Sequence, residues 1–306
     1  MRIAIAGAGA IGGYFGLCLA RAGHDVVFMA RGSHRDAMAR GGLTVTGVEP
    51  KLHLEKPALF DPADPGAPAD LILVCTKRPD TQAILTDAKP LIGDRTIGLS
   101  LQNGIDAADQ IAPFFGKDNV LAGATYIFVT IGEPGEIVMR APLTRIQFGE
   151  PSGKATQRSR EVLAALSVPG IEALLEDDMR TELWRKFCFV TPHAGTGSYH
   201  RASVGEIRSN PAARKLFEDL VAETVAVGRT QGAKLGPDTE ASMSRLLDSI
   251  PPEGRASMLM DLMRAKPLEL EYLTGAVVRV GSEAGVPTPA SARVYEKLLP
   301  FIRGSR

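Results

Sequence analysis

The sequence predicts an α/β domain built on a parallel sheet, followed by an all-α domain. Short apolar runs alternate with amphipathic helical stretches up to about residue 177, and beyond that point the chain is helical almost throughout. Alternation of strands and helices is typical of parallel sheets covered by helices, whereas a run of helices indicates a separate layer or domain. At 306 residues the chain also exceeds the usual size of one hydrophobic core. We therefore expect domains at residues 1–177 and 178–306.

The first sixteen residues, MRIAIAGAGAIGGYFG, predict a strand, a glycine turn and the start of a helix. In the spacing GxGxxG the first glycine permits the tight turn, the second lets a pyrophosphate approach the backbone, and the third lets the helix pack on the strand. The free N–H groups of the helix N-terminus favour phosphate. The stretch predicts a Rossmann-type dinucleotide-binding domain, whose cofactor-binding turn comprises Gly7, Ala8, Gly9, Ala10, Ile11 and Gly12.

The end of the second predicted strand, residues 25–29, bears on the choice of cofactor. NAD-binding units usually place an acidic residue there for the ribose 2′-hydroxyl, but this chain has Arg31. Arg31, with Ser33, His34 and Arg35 behind it, can neutralise and hydrogen-bond a 2′-phosphate. The sequence therefore predicts NADP, the alternative being that Arg31 is a solvated loop residue.

Two polar residues follow later predicted strands. Lys77 comes after the strand at 71–75, and Asn103 comes after the strand at 96–101. Ligands of open α/β sheets bind at the carboxyl ends of the strands, so both residues are candidates for the site. A solvated lysine and an ordinary Asn-Gly turn are the alternatives.

The remaining elements follow from hydrophobic periodicity. Strands are expected within 42–56 and at 120–130, 136–139, 145–148 and 168–174, and helices at 81–92, 155–166, 178–190, 211–231, 237–249, 255–264, 268–284 and 291–302.

Charge and composition exclude several classes of partner. Lys plus Arg equals Asp plus Glu at 35 each, so no basic surface for nucleic acid or an anionic membrane is expected. No apolar run approaches the roughly 20 residues that span a bilayer. The N-terminal apolar segment is expected to be a strand and not a signal peptide, since no basic n-region or cleavage site comes before it. Isolated Cys18, Cys75 and Cys188 lack disulfide or zinc spacing and are expected to be buried structural thiols, with no metal site. The sequence predicts a soluble, cytoplasmic protein.

The helix at 178–190, DMRTELWRKFCFV, contains the strongest catalytic candidate. Lys186 lies in an otherwise apolar stretch, where desolvation would lower its pKa from about 10.4 towards neutral pH. A proton donor of this kind suits carbonyl reduction. The alternative is a lysine whose stem covers apolar surface while its ammonium stays in water.

These segments together resemble the ketopantoate reductases, also called 2-dehydropantoate 2-reductases. The matching segments are AGAGAIGGYFG, the strand end at Lys77, QNG at 102–104, LWRKF at 183–187, PPEGRASMLMDL from 251 and LELE at 268–271. The resemblance implies a Rossmann domain, a helical domain, and NADPH-dependent reduction of a 2-oxo acid to a 2-hydroxy acid. It implies 2-dehydropantoate as the substrate, in pantothenate biosynthesis.

The resemblance also implies roles for individual residues. Lys186 matches the catalytic lysine, Glu269 the acid that engages the lysine and the substrate hydroxyl, and Ser257 a serine that holds the substrate carboxylate. Asn103 and Lys77 match positions near the nicotinamide ribose and the substrate. Taken singly, Ser257 could equally be a helix N-cap and Glu269 a first-turn acid.

The chain departs from the family where the pocket is expected. Asparagines that usually line it are replaced by Val190, Ala194 and Val204. Three amides are thereby lost, and each hydrogen bond is worth on the order of 1 kcal/mol. His193 lies seven residues after Lys186, on the same helical face, and is expected to replace them in part. A plain helix-end histidine is the alternative, since Pro192 could end the helix.

Three other functions stay open on this evidence. A related dehydrogenase could act on a less polar oxo acid, a different Rossmann-plus-helical dehydrogenase could use other catalytic residues, and a non-catalytic sensor could bind NADP without turnover. The apolar surface of the long helices after residue 211 favours a homodimer through the helical domain.

Overall fold

The computed structural model describes residues 1–304, which form two compact units. One unit comprises Met1–Gln102 and Asp106–Met179. The other comprises Asn103–Ile105 together with the chain from Arg180 onward. The first unit contains the sheet and the second is helical.

The sheet of the first unit has ten strands. In chain order they are β1 (Arg2–Ala6), β2 (Asp25–Met29), β3 (Leu43–Thr46), β4 (Leu52–Leu54), β5 (Ala58–Leu59), β6 (Leu71–Val74), β7 (Ile97–Ser100), β8 (Val120–Ile131), β9 (Glu136–Gly149) and β10 (Glu172–Leu175). Their spatial order is β4-β3-β9-β8-β7-β6-β1-β2-β5, with β10 also paired to β9.

The centre of the sheet is parallel and buried. Ile3 of β1 pairs with Val26 of β2 on one side and with Leu71 of β6 on the other. The strand order reverses between β1 and β6, and such a reversal is where open α/β sheets bind ligands at the carboxyl ends of their strands. The antiparallel pair β8 and β9 then extends the sheet.

Five α-helices belong to the sheet unit. They are α1 (Ala10–Arg21), α2 (Gly32–Gly41), α3 (Thr81–Asp87), α4 (Ala107–Phe115) and α5 (Gln157–Leu166). Helix α1 packs tightly on the sheet because Gly16 has no side chain: a Cβ there would lie 2.4 Å from the Phe28 ring. This close packing fixes the start of α1, and with it the glycine turn, against β1.

The helical unit is built on one long helix and six shorter ones. They are α6 (Met179–His200), α7 (Val204–Ser209), α8 (Pro211–Thr230), α9 (Thr239–Ser249), α10 (Ser257–Met263), α11 (Thr274–Ala284) and α12 (Pro289–Leu298). Their apolar faces meet in one core that includes Trp184, Phe187, Phe217 and Leu270. The Trp184 indole packs directly on the backbone of Gly228, where a Cβ would lie 2.8 Å from the ring.

The fold class is confirmed, with several corrections to individual elements. The strands predicted at 136–139 and 145–148 are one continuous strand, β9. The helix predicted at 81–92 ends at Asp87, and a short 3-10 helix, Lys89–Leu91, carries Pro90. The helix predicted at 268–284 is divided at Leu273, whose ψ of −97° is not helical, into a 3-10 turn and α11. Helices α2, α4 and α7 have no predicted counterpart.

The largest correction concerns α6, which the sequence ended at residue 190. The helix continues through Pro192 to His200. A proline inside a helix removes one N–H donor and crowds the preceding turn. Here Thr191 and Ala194 beside it are 1% and 3% exposed, so burial of this stretch in the helical core outweighs the local cost. Within residues 1–304, none of the helices is long and apolar enough to cross a membrane.

Candidate functional site

The glycine turn between β1 and α1 leaves open space beside its backbone. Gly7 has a φ of +102°, and a Cβ there would lie 2.5 Å from Cγ2 of Thr76, at the end of β6. A Cβ on Gly12 would lie 2.3 Å from the Gly7 carbonyl oxygen. At Gly9, by contrast, a Cβ would meet nothing within 4 Å. Gly7 and Gly12 are therefore required by the fold, whereas the absence of a side chain at Gly9 leaves room for a ligand.

The first turn of α1 fits a pyrophosphate. Gly9 occupies the N-cap position, and no side chain caps the N–H groups that begin this twelve-residue helix. A dinucleotide would place its phosphates there, where the N–H groups and the helix dipole favour negative charge. Gly7, Ala8, Gly9, Ala10, Ile11 and Gly12 form this turn as the sequence predicts.

Substituting alanine at Gly9 and at Gly12 is expected to separate binding from stability. Gly9→Ala puts a methyl group into open space with the backbone already extended, at φ −77°. It should leave the melting temperature unchanged and raise the dissociation constant for dinucleotide at least tenfold. Gly12→Ala forces a methyl group against a backbone oxygen and should cost about 1–3 kcal/mol of stability. Calorimetry and cofactor fluorescence measure both, and equal cofactor affinity in wild type and Gly9→Ala would contradict the assignment.

Arg31 lies at the end of β2, as the N-cap residue of α2, and its guanidinium contacts an acid that the sequence did not reveal. Its Nη2 donates to Oδ2 of Asp87, at the end of α3, over 2.6 Å. Both side chains are more than half exposed, and exposed ion pairs contribute at most about 1 kcal/mol. His34 has a different partner, since its Nδ1 accepts the N–H of Gly135 at 3.1 Å.

Lys77 is exposed just after the end of β6. The residues next to it in the fold form a polar network that the sequence did not predict. Arg78 is only 1% exposed, donating from Nε to Gln110 at 2.6 Å and from Nη2 to Asp106 at 2.8 Å. Gln102, 4% exposed, donates to the Thr76 carbonyl at 2.9 Å. The sequence offers no signal that Arg78, four residues after the end of β6, is buried, because its partners lie in and just before α4.

Three of the predicted residues form a lysine centre in the helical unit: Lys186, Asn103 and Glu269. Lys186 Nζ donates to Oδ1 of Asn103 at 3.0 Å. Burial lowers the pKa of Lys186 to about 8, although the negative charge of Glu269 raises it. Glu269 itself is buried, with 5% exposure, just before the 3-10 turn Leu270–Tyr272. The centre can thus hold a proton near neutral pH and give it up readily.

Of the two interpretations of Ser257, the structure contradicts the helix N-cap. It is the first residue of α10, whereas Ala256 occupies the N-cap position, so Ser257 is not the cap. Its side chain is exposed. A hydroxyl in that position is available to an anionic ligand.

The face of α6 beyond Lys186 is mainly apolar and contains one half-buried imidazole. His193 packs against Phe189 with ring centroids 5.5 Å apart, and burial lowers its pKa to about 4, so the ring is neutral at pH 7. Its Nε2 is buried without a hydrogen-bond partner among residues 1–304. Of the positions that lack the expected asparagines, Val190 is half-buried, whereas Ala194 and Val204 are 3% and 0% exposed.

The three thiols do not have the properties of nucleophiles. Cys18 and Cys188 are buried as predicted, and Cys75 is half-buried. Burial raises the pKa of Cys18 to about 11 and that of Cys188 to about 12, and it raises the pKa of Cys75 as well. Thiols with raised pKa values stay protonated and unreactive at neutral pH.

Comparisons with known proteins match most of the chain. The family model "Ketopantoate reductase PanE/ApbA" matches residues 3–153, and its C-terminal counterpart matches residues 178–300. A 2-dehydropantoate 2-reductase of Archaeoglobus fulgidus is 32% identical, over 99% of this chain and 97% of its own.

Two solved structures are also similar. The 2-dehydropantoate 2-reductase of Geobacter metallireducens has a TM-score of 0.91 and 28% identity, over 98% of this chain and 99% of its own. A ternary structure of D-mandelate dehydrogenase with NADH and anilino(oxo)acetate has a TM-score of 0.89 and 25% identity, over 98% of each chain.

Proposed function

Because the chain belongs to the ketopantoate reductase family, we propose that it reduces 2-dehydropantoate to pantoate with NADPH. Membership of the family makes it an oxidoreductase that uses a nicotinamide dinucleotide to act on CH–OH groups. The observation that carries this proposal is the lysine centre. Lys186 bonds to Asn103 at 3.0 Å, and its pKa of about 8 suits proton transfer at neutral pH.

In the proposed reaction Lys186 is the general acid. A nicotinamide dinucleotide, when bound, would supply the hydride for the carbonyl carbon. The Lys186 ammonium donates a hydrogen bond to the carbonyl oxygen, polarises the C=O bond, and delivers its proton as that oxygen gains negative charge. Proton and hydride together convert the 2-oxo acid into the 2-hydroxy acid. Lys186 is left neutral and is reprotonated from water.

The neighbours of Lys186 set its direction and its charge. The Asn103 amide oxygen accepts one ammonium hydrogen and so orients Nζ. The Glu269 carboxylate opposes the effect of burial and keeps more of the lysine protonated at neutral pH. Ser257, exposed at the start of α10, is proposed to bind the substrate carboxylate, and Lys77 the nicotinamide ribose or the substrate.

The preference for NADPH over NADH is proposed from Arg31. Its exposed pair with Asp87 is weak enough to open, and a 2′-phosphate offers the guanidinium a stronger partner than a carboxylate in water. Asp87 competes for the same guanidinium, so the preference is expected to be moderate.

Arg31→Ala is expected to lower kcat/KM for NADPH roughly tenfold or more, since a hydrogen bond to a charged group is worth about 1.5–3 kcal/mol. For NADH the change should stay within about twofold, because the ribose hydroxyl gains little from the charge. Arg40→Ala, at the other end of α2, is the matched control. Initial rates with both cofactors measure the ratio, and an equal loss for NADPH and NADH would contradict the role of Arg31.

A less polar 2-oxo acid is the second candidate substrate, and the face of α6 favours it. Val190, at a position where the family carries an amide, and the neutral His193 lie on the helical face of Lys186. An apolar lining favours binding of a substrate with a branched or aromatic side chain. It also leaves the hydroxyl of 2-dehydropantoate with fewer hydrogen-bond partners. The D-mandelate dehydrogenase neighbour was solved with anilino(oxo)acetate, which carries an aromatic ring.

One assay distinguishes the candidates. NADPH oxidation is followed with 2-dehydropantoate and with branched and aromatic 2-oxo acids that lack its hydroxyl. The main proposal predicts the highest kcat/KM for 2-dehydropantoate, and the second candidate predicts the reverse order. Tight NADPH binding without turnover of any member would instead indicate a sensor.

A further inference from the structure

Arg78 is the largest fully buried side chain in the described part of the protein, and the proposed reaction gives it no task. A buried guanidinium is costly to desolvate unless it is paired and hydrogen-bonded. Its bonds go to Gln110 within α4 and to Asp106 immediately before α4. This pairing accounts for the burial of the charge but leaves open what it holds in place.

Asp106 shows which part of the chain is held. It occupies the N-cap position of α4, where an aspartate usually accepts N–H groups of its own helix. Its side chain makes no such cap bond, and Oδ1 accepts from Arg78 instead at 2.8 Å. The carboxylate therefore anchors the chain at the point where it leaves the segment Asn103–Ile105.

The other end of that segment is anchored as well. The Gln102 amide donates to the Thr76 carbonyl and to the Thr81 hydroxyl, at 2.9 and 2.8 Å. Only three residues, Asn103–Ile105, lie between the two anchors, and they make their own contacts elsewhere. Asn103 bonds to Lys186, and Ile105 packs against the helical core.

We propose that Arg78 and Asp106 are positioning residues for the lysine centre: by fixing the end of the segment Asn103–Ile105, they hold the Asn103 amide oxygen on Lys186. This inference rests on the proposed function, in which Lys186 is the general acid. Neither Arg78 nor Asp106 is required to touch substrate or cofactor.

The test compares Asp106→Ala with Gln110→Ala. Both substitutions remove a partner of Arg78, but only Asp106 adjoins the anchored segment. Asp106→Ala should lower kcat at pH 8 at least fivefold. It should also shift the upper pH limb, which is the fall of kcat as the pH rises through the pKa of Lys186, to lower pH, since an ammonium that loses an acceptor is easier to deprotonate. Gln110→Ala should leave the limb in place. Asn103→Ala should reproduce the shift, and the double variant Asn103→Ala with Asp106→Ala should shift no further.

Three outcomes would overturn the proposal: a limb that stays in place in Asp106→Ala, equal shifts in Asp106→Ala and Gln110→Ala, or additive shifts in the double variant. If Asp106→Ala does not fold, Asp106→Asn keeps an acceptor oxygen for Arg78 and should give a smaller shift of the same sign. The Lys186 ammonium is also titrated by NMR without substrate, with Lys186→Arg assigning its signal. This readout distinguishes failure of the positioning role from failure of the proposed reaction.

Discussion

Lys186→Met is expected to lower kcat for 2-oxo acid reduction by roughly 10²- to 10⁴-fold, the range over which general acids contribute. The substitution removes the proton donor and leaves the dinucleotide turn of the other unit untouched. Cofactor affinity should therefore stay within about twofold of wild type. Single-turnover rates with saturating NADPH measure the chemical step directly.

The same variant should be no less stable than wild type at pH 7. The pKa of Lys186 is lowered to about 8 in the folded protein, so between about pH 8 and 10.5 the unfolded chain binds more protons than the folded one. The cost of burying the charge is therefore present below pH 8 and is relieved as the pH rises from 8 to 10.5. Lys215→Met, at an exposed ion pair of α8, is the control and should leave kcat unchanged. Reduction at more than a tenth of the wild-type rate by Lys186→Met would reject the catalytic role.

The wild-type enzyme is expected to lose reductase activity as the pH rises through about 8, the pKa of Lys186. Only the protonated lysine can donate, so kcat should fall about tenfold per pH unit above the midpoint. Oxidation of the 2-hydroxy acid needs the neutral lysine and should rise through the same midpoint.

Glu269→Gln should move that midpoint to lower pH. The carboxylate raises the pKa of Lys186 against the effect of burial, so its removal leaves desolvation unopposed. At pH 8 the variant should therefore lose most of its reductase activity and regain part of it at lower pH. Rate profiles in both directions give the midpoint.

Glu271→Gln is the matched control for Glu269→Gln, because Glu271 lies two residues along and accepts from Tyr295 instead. Its midpoint should stay at the wild-type value. An unshifted midpoint in Glu269→Gln, or equal shifts in the two variants, would show that Glu269 does not set the charge of Lys186.

Much of the architecture follows from local patterns in the sequence. Buried parallel strands are continuous apolar runs, so β2 has the bounds predicted for it. Helix α8, predicted from its hydrophobic periodicity, ends one residue before its predicted end. The glycine spacing fixed the turn after β1 because backbone geometry there tolerates no side chain at Gly7 or Gly12. The homodimer and the cytoplasmic location stay predictions.

Elements whose ends depend on distant packing were not predicted correctly. Local rules place a helix end at Pro192, yet α6 continues because its neighbours in the chain are buried in the helical core. The pairing of Arg31 with Asp87 joins residues 56 positions apart, which no local pattern encodes.

The sequence by itself determined the fold class, the dinucleotide turn and Lys186 as the candidate acid, since each depends on residue type and short spacing. Only the tertiary structure decided what sets the charge and direction of that lysine. Asn103 lies 83 residues from Lys186 along the chain, and their bond exists because folding brings the segment Asn103–Ile105 onto α6. Desolvation and hydrogen bonding depend on three-dimensional surroundings, and they turn an ordinary lysine into one with a pKa of about 8.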